Sequence, residues 1–287
     1  MRIPATGAAG LPGRRRVVPL VGGLLVCCLL IYCLLLTEGH WSLLATPELG
    51  RRAAIGFAIN AALAIAAFAV RGVDRSGAAV GILLGTLIWA GLGWRGFLLL
   101  FAFFALGTLA TRIGFGEKAR RGLAQAKGGR RGAGSALSKT TVPALCALFA
   151  VAGDQAALFT LAFAGAFATA AFDTCSSEIG QVYGRRTFRI TNFEPVPRGT
   201  EGALSLEGTV AGVAASLVVG ALGAWSGLYA GFGVALVAAA AFFATTLESL
   251  LGATLERRGL LDNEAVNFAS SLAGALAAAG LGWLSGA

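Results

Sequence analysis

The chain has 287 residues, 56% of them hydrophobic and only 13% charged, with 42 glycines and a net charge of +9. A water-soluble domain carries about a quarter charged residues, so this composition excludes one and places the chain in a membrane. The apolar runs reach the roughly 20 residues that a membrane helix needs, without the alternation of a membrane β-barrel. The expected fold class is therefore all-α, a polytopic transmembrane bundle of about nine helices.

The tail Met1–Arg16 ends in Arg14-Arg15-Arg16, and the apolar run Val17–Leu36 follows it. A secretory signal has this order, but its apolar core is about 7–15 residues and ends in a small-residue cleavage site. The longer run here reads as a retained first helix with its N-terminus in the cytosol. Further spans are expected over Ala53–Val70, Gly77–Leu92, Phe97–Thr111, Val142–Ala152, Ala156–Phe172, Thr209–Trp225, Leu228–Leu247 and Val266–Leu284. Val142–Ala152 is short, and either begins earlier, near Ala136, or is re-entrant. Gly93-Trp94-Arg95-Gly96 suits a tight helical hairpin. The chain thus divides into a cytosolic tail over 1–16, N-terminal helices over 17–76 and a chemistry-bearing membrane domain over 77–287.

Charge sets the expected orientation. Arg112, Lys118, Arg120, Arg121, Lys127, Arg130, Arg131 and Lys139 fall in one inner loop, and Arg185, Arg186, Arg189 and Arg198 in another. The outer loops hold only Arg51, Arg52 and Arg95. This is the positive-inside pattern, so the basic charge is topogenic and nucleic-acid binding is excluded as a function class. The expected location is a bacterial inner membrane, with every motif-like segment on the cytosolic side, where nucleotides and Mg²⁺ are available.

Histidine and cysteine chemistry is set aside. Cys27, Cys28, Cys33 and Cys146 lie inside apolar spans, Cys175 has no Cys-x-x-Cys partner, and the sole histidine, His40, sits in an outer loop.

Four segments carry polar chemistry. The first runs from Gly116 to Ser135 and interleaves Lys118, Lys127, Arg130 and Arg131 with Gly122, Gly128, Gly129, Gly132 and Gly134. Such glycines let backbone N–H groups approach an anion, while Arg grips phosphate bidentately. It is not a Walker A loop, and taken alone it reads first as a positive-inside loop binding anionic headgroups and only second as a phosphate-binding loop. The second, Asp173-Thr174-Cys175-Ser176-Ser177-Glu178-Ile179-Gly180, puts two carboxylates at the end of an apolar helix, where ionisable groups are costly. Five residues apart, Asp173 and Glu178 stand about 140° apart around a helix, so they share one ion only if the helix ends or unwinds near Gly180. Hard oxygen ligands of this kind suit Mg²⁺.

The third segment, Phe193–Thr209, is a shaped Pro/Gly loop offering Arg198, Thr200, Glu201 and Ser205, with a short strand expected over Thr187–Thr191. The fourth offers Glu248, then Asp262 as a helix N-cap, with Asn263 and Asn267 on one helical face. Asn267 reads equally as a bond to a neighbouring helix. Carboxylates and guanidinium groups at one face suit phosphoryl transfer, where positioning and charge neutralisation supply most of the catalysis. Charges at the rim rather than mid-bilayer favour an amphipathic substrate over a soluble transported one.

Gly128–Gly134, Asp173–Gly180, Gly199–Ser205, Leu250–Leu255 and Asp262–Phe268, in that order, resemble the integral-membrane family of transmembrane protein 19 and the plant phytyl-phosphate kinase, a domain formerly of unknown function. The resemblance runs from about Gly81 to the C-terminus. It implies a kinase acting on a prenyl monophosphate with CTP or ATP and Mg²⁺. It also implies Asp173 and Glu178 as metal ligands, with Lys127, Arg130, Arg131 and Arg198 on phosphate, and Glu201, Glu248, Asp262, Asn263 and Asn267 lining the site. The family commonly has Asn at the position of Ser135, and Asp at those of Glu201 and Glu248. The alternative is a non-enzymatic lipid-phosphate carrier or scaffold. Expected partners are an isoprenoid phosphate, a nucleotide and membrane lipid. The Ala/Gly-rich spans allow close packing within one chain or in a homo-oligomer.

Overall fold

The computed structural model describes residues 46–152 and 154–286, apart from the side chains of residues 126 and 127. The expected tail, the first span Val17–Leu36, His40 and Cys27, Cys28 and Cys33 lie outside the described residues.

Eight α-helices follow in chain order: α1 (Pro47–Ala69), α2 (Arg75–Arg112), α3 (Phe115–Arg120), α4 (Ala133–Ala152), α5 (Ala156–Tyr183), α6 (Leu206–Trp225), α7 (Gly233–Leu251) and α8 (Asn263–Leu284). A 3₁₀ turn over Ala126–Gly129 leads into α4, and a π-helical turn over Gly252–Glu256 extends α7. All but α3 are long and apolar enough to cross a membrane. The protein is an all-α integral membrane bundle, with Val142–Ala152 completed to a full span by a start at Ala133.

α2 doubles back. Gly93 adopts φ 61° and ψ −148°, which L side chains avoid. Gly77 and Gly107 both abut Arg131, although a straight helix would hold them about 45 Å apart. Trp89 and Phe97 meet across the turn at 5.5 Å between ring centroids. The expected hairpin at Gly93–Gly96 is therefore present, and its limbs account for two of the expected spans.

α5 is the axis of the bundle. Every residue from Leu161 to Phe172 is buried, as befits a helix apolar on all faces. Small residues bring its neighbours close: a Cβ on Gly165 would stand 2.6 Å from the Gly274 carbonyl oxygen of α8. α6 and α8 make the most extensive contacts with it.

The bundle has two distinct ends. At one, the α2 turn meets the end of α6, with Trp94 and Trp225 edge to face at 6.3 Å. At the other lie the C-terminal ends of α5 and α7 and the starts of α6 and α8. There β1 (Thr187–Arg189) pairs antiparallel with β2 (Ala203–Ser205), Thr187 opposite Ser205, and the hairpin returns the chain to α6.

Candidate active site

At the second end, α5, α6, α7, α8 and the loop over residues 199–205 enclose a polar cavity of about 330 Å³. Its lining includes Asp173, Glu178, Glu201, Glu248 and Glu256 against a single cation among the described residues, Lys139.

Asp173 is the hub. Lys139 Nζ donates to its Oδ2 at 2.6 Å and to Thr174 Oγ1 at 3.0 Å, and Ser177 Oγ donates to its Oδ1 at 3.3 Å. The Glu248 carboxyl, from α7, is in hydrogen-bonding contact with that of Asp173 and accepts from Ser270 Oγ of α8 at 2.6 Å. Two ionised carboxylates in contact repel, and a shared proton or a divalent cation relieves that repulsion. The pair is a hard oxygen-donor set of the kind Mg²⁺ uses, since that ion takes one or two carboxylates and completes its shell with water and phosphate. No group of three or more His, Cys, Asp and Glu is arranged around a common metal position among the described residues.

The opposite wall is set by close backbone packing. Gly202, at φ 69°, lies against Ser249 and Ala253, which leaves no room for a side chain there. That contact sets Glu201 near Glu256 of the π-helical turn, and Glu256 accepts from the Asn263 side chain. Such π turns interrupt helices at functional sites more often than elsewhere.

Several expected contacts fall elsewhere. Asp173 and Glu178 are not brought onto one ion, because α5 runs unbroken to Tyr183 and keeps them on different sides of the helix. Glu178 instead pairs with the Lys118 ammonium and accepts from Thr111 Oγ1 at 3.1 Å and Gln125 Nε2 at 2.6 Å. Lys118 spends its other donors on the carbonyls of Thr111 at 2.9 Å and Ala110 at 3.3 Å. The two residues are 1% and 2% exposed, so Lys118 ties the loop after α2 to α5 rather than reaching for substrate.

The glycine turn before α4 likewise faces the chain's own acids. Gly132 abuts the Asp74 carboxylate, and a Cβ on Gly134 would stand 3.1 Å from Glu264 Oε1. Glu264 also accepts from Ser138 Oγ at 2.7 Å. These carboxylates take the place near a helix N-terminus where a phosphate was expected.

Arg130 is half-buried beyond the 3₁₀ turn and outside the cavity lining, and the Lys127 side chain is outside the described residues. Arg131 points away from the cavity, its guanidinium 5.1 and 5.6 Å from the ring centroids of Phe103 and Phe104. Burial draws its pKa below the usual guanidinium value, against the opposing pull of Glu178, Cys175 and Asp173.

Arg198 donates to the Val182 carbonyl at 2.8 Å, capping the C-terminal end of α5. Ser205 and Asp262 are the N-caps of α6 and α8, accepting from Gly208 N at 3.1 Å and Ala265 N at 2.8 Å. Ser205 also lines the cavity, as do Thr200, Asn263 and Asn267. Thr200 donates to the Pro197 carbonyl at 2.7 Å. Asn267 donates to the Asn263 carbonyl at 2.8 Å within its own helix, so it does not cross-link helices.

Four residues of the site escaped sequence reading. Lys139, Glu256, Gln125 and Ser270 sit outside the quoted motifs or were assigned to loops. The signal for Lys139 appears once its helix is started at Ala133, because the lysine then lies inside a membrane-spanning segment, where an ionisable group marks a functional position.

A family model described as integral membrane protein DUF92 matches residues 58–275. The chain belongs to this family. It is 45% identical over 201 residues to an uncharacterized membrane protein of Synechocystis, covering 69% of this chain and 78% of the relative. It is 39% identical over 216 residues to Protein VTE6, chloroplastic, of Arabidopsis thaliana, covering 73% of this chain and 65% of that protein. An uncharacterized membrane protein of Methanocaldococcus jannaschii is 32% identical over 207 residues, 72% of this chain and 84% of the relative. No solved structure matches the chain. The family match spans the cavity-lining segments from Gln125 to Asn267, so the acids, Lys139 and the glycine-bearing loop all belong to the family region.

Proposed function

We propose that this DUF92 protein is a kinase of isoprenoid monophosphates, taking the phosphoryl group from CTP or ATP at the cytosolic face. The observation that carries the reading is the polar cavity at one end of the bundle, where Asp173, Glu248 and Lys139 converge. The resemblance to the plant phytyl-phosphate kinase supplies the substrate class.

In this reading Asp173 and Glu248 would hold Mg²⁺, which would supply charge neutralisation for the nucleotide phosphates. Lys139 Nζ already sits 2.6 Å from Asp173, and its ammonium is placed to bind a non-bridging oxygen of the transferred group. The Asn263 and Asn267 amides and the Glu201–Glu256 wall orient the nucleotide. An oxygen of the lipid monophosphate attacks the γ-phosphorus while the bond to the β–γ bridging oxygen breaks. The products are the isoprenoid diphosphate and a nucleoside diphosphate. The attacking phosphate is already anionic, so no strong base is required.

The test uses full-length protein in nanodiscs with γ-labelled CTP or ATP, Mg²⁺ and phytyl or geranylgeranyl monophosphate. Labelled diphosphate is expected from the wild type, and at least 100-fold less from Asp173→Asn and Glu248→Gln. Undiminished product from both variants would refute the assignment of the cavity. No turnover with any prenyl phosphate, together with transfer of the lipid between vesicles, would favour a carrier.

A further inference from the structure

A second cavity, also about 330 Å³, lies between α1, the two limbs of α2 and the first turns of α4. Its walls are apolar, built from residues such as Leu63, Ala67, Phe101 and Phe104, and Arg131 closes the end nearest the polar cavity. Among the described residues the Arg131 guanidinium forms no salt bridge: it stands on the two phenyl rings, with Glu178 and Asp173 attracting it from beyond ion-pair distance. Burying that charge without a salt bridge is costly, and a cation–π contact returns only part of the cost. The remaining deficit points to an anion at this position. Apolar walls with one terminal cation are complementary to a hydrocarbon chain ending in an anionic head group, and a phosphate offers the paired oxygens that a guanidinium grips.

The two cavities are neighbours. Arg131 and Thr174 both press on Gly107, and the Thr174 hydroxyl accepts from Lys139 Nζ at 3.0 Å. Thr174 therefore stands between the guanidinium of one cavity and the ammonium of the other.

We propose that the α1–α2 cavity holds the hydrocarbon chain of a single-tailed lipid monophosphate with its phosphate on Arg131. The phosphate then reaches the metal and nucleotide cavity past Thr174. That the chain is isoprenoid rests on the kinase reading, whereas the lipid-phosphate site does not.

Gly81 provides the test, because it lines this cavity and no atom lies within 4 Å of where its Cβ would stand. Gly81→Leu thus adds bulk to the cavity without a backbone clash. Binding of tritiated farnesyl monophosphate to full-length protein in detergent is measured with farnesol, inorganic phosphate and phosphatidylglycerol as competitors. Gly81→Leu and Arg131→Gln are each expected to weaken binding at least tenfold, with farnesol and inorganic phosphate competing poorly. CTP or ATP binding by Gly81→Leu is expected to stay at the wild-type level. Wild-type affinity in Gly81→Leu would overturn the proposal, whatever becomes of Arg131→Gln. Phosphatidylglycerol competing as well as farnesyl monophosphate would also overturn it, by making the occupant an ordinary bilayer lipid. Diphosphate formed by Gly81→Leu with an unchanged lipid KM would remove this site and leave the kinase standing. The expected binding pattern without any turnover would do the reverse.

Discussion

Lys118→Met is the sharpest probe of how the cavity end of the bundle is held together. The ammonium is fully enclosed, pairs with Glu178 and donates to the carbonyls of Ala110 and Thr111. Removing one partner of a buried pair leaves an uncompensated charge and typically costs about 3–5 kcal/mol. Glu178 keeps the neutral donors Thr111 and Gln125, so the lower half of that range is expected. A loss of 3 kcal/mol is about a 150-fold shift in the unfolding equilibrium. The double variant Lys118→Met/Glu178→Gln removes both charges and should recover most of the loss, because buried ion pairs are often replaceable by neutral groups. Titrating each variant with SDS in mixed micelles and following far-UV circular dichroism measures both quantities. A single variant within 0.5 kcal/mol of wild type would refute the buried pair. A fully stable Glu178→Gln that loses phosphoryl transfer would return Glu178 to the chemistry.

Three further outcomes follow from the geometry. Lys139→Gln takes the only described cation from the polar cavity and should raise the nucleotide KM at least tenfold in the γ-label assay, without preventing folding. Asp262→Ala removes an N-cap and should cost about 1 kcal/mol of stability while leaving turnover per folded molecule intact, measured by the same SDS titration beside the kinase assay. Gly165→Leu drives a side chain into the Gly274 carbonyl and Ala278, and thermal unfolding should show a loss of at least about 1–3 kcal/mol from overpacking.

Much of the fold was legible along the chain, because hydropathy and charge are summed locally. The all-α membrane class, the hairpin at Gly93, the strand at Thr187 and the Asp262 cap each rest on neighbouring residues alone. The site was legible only in part. Asp173, Glu178, Glu201, Glu248, Asn263 and Asn267 do line one cavity, but Glu178 is claimed there by Lys118, and Arg131 and Arg198 turn to other duties. The basic loop misled because a lysine in an inner loop looks the same in sequence whether it faces water or folds inward.

The sequence by itself determined that this chain crosses a membrane and that its acids and hydroxyls follow the apolar runs. Only the tertiary structure decided which acids meet: Asp173 finds Glu248 and Lys139, while Glu178, one and a half turns further on, faces another helix. The reason is rotational. Each residue advances a helix by about 100°, so a side chain's partners depend on how the helix is turned within the bundle, and distant small residues such as Gly107, Gly165 and Gly202 set that by letting backbones touch.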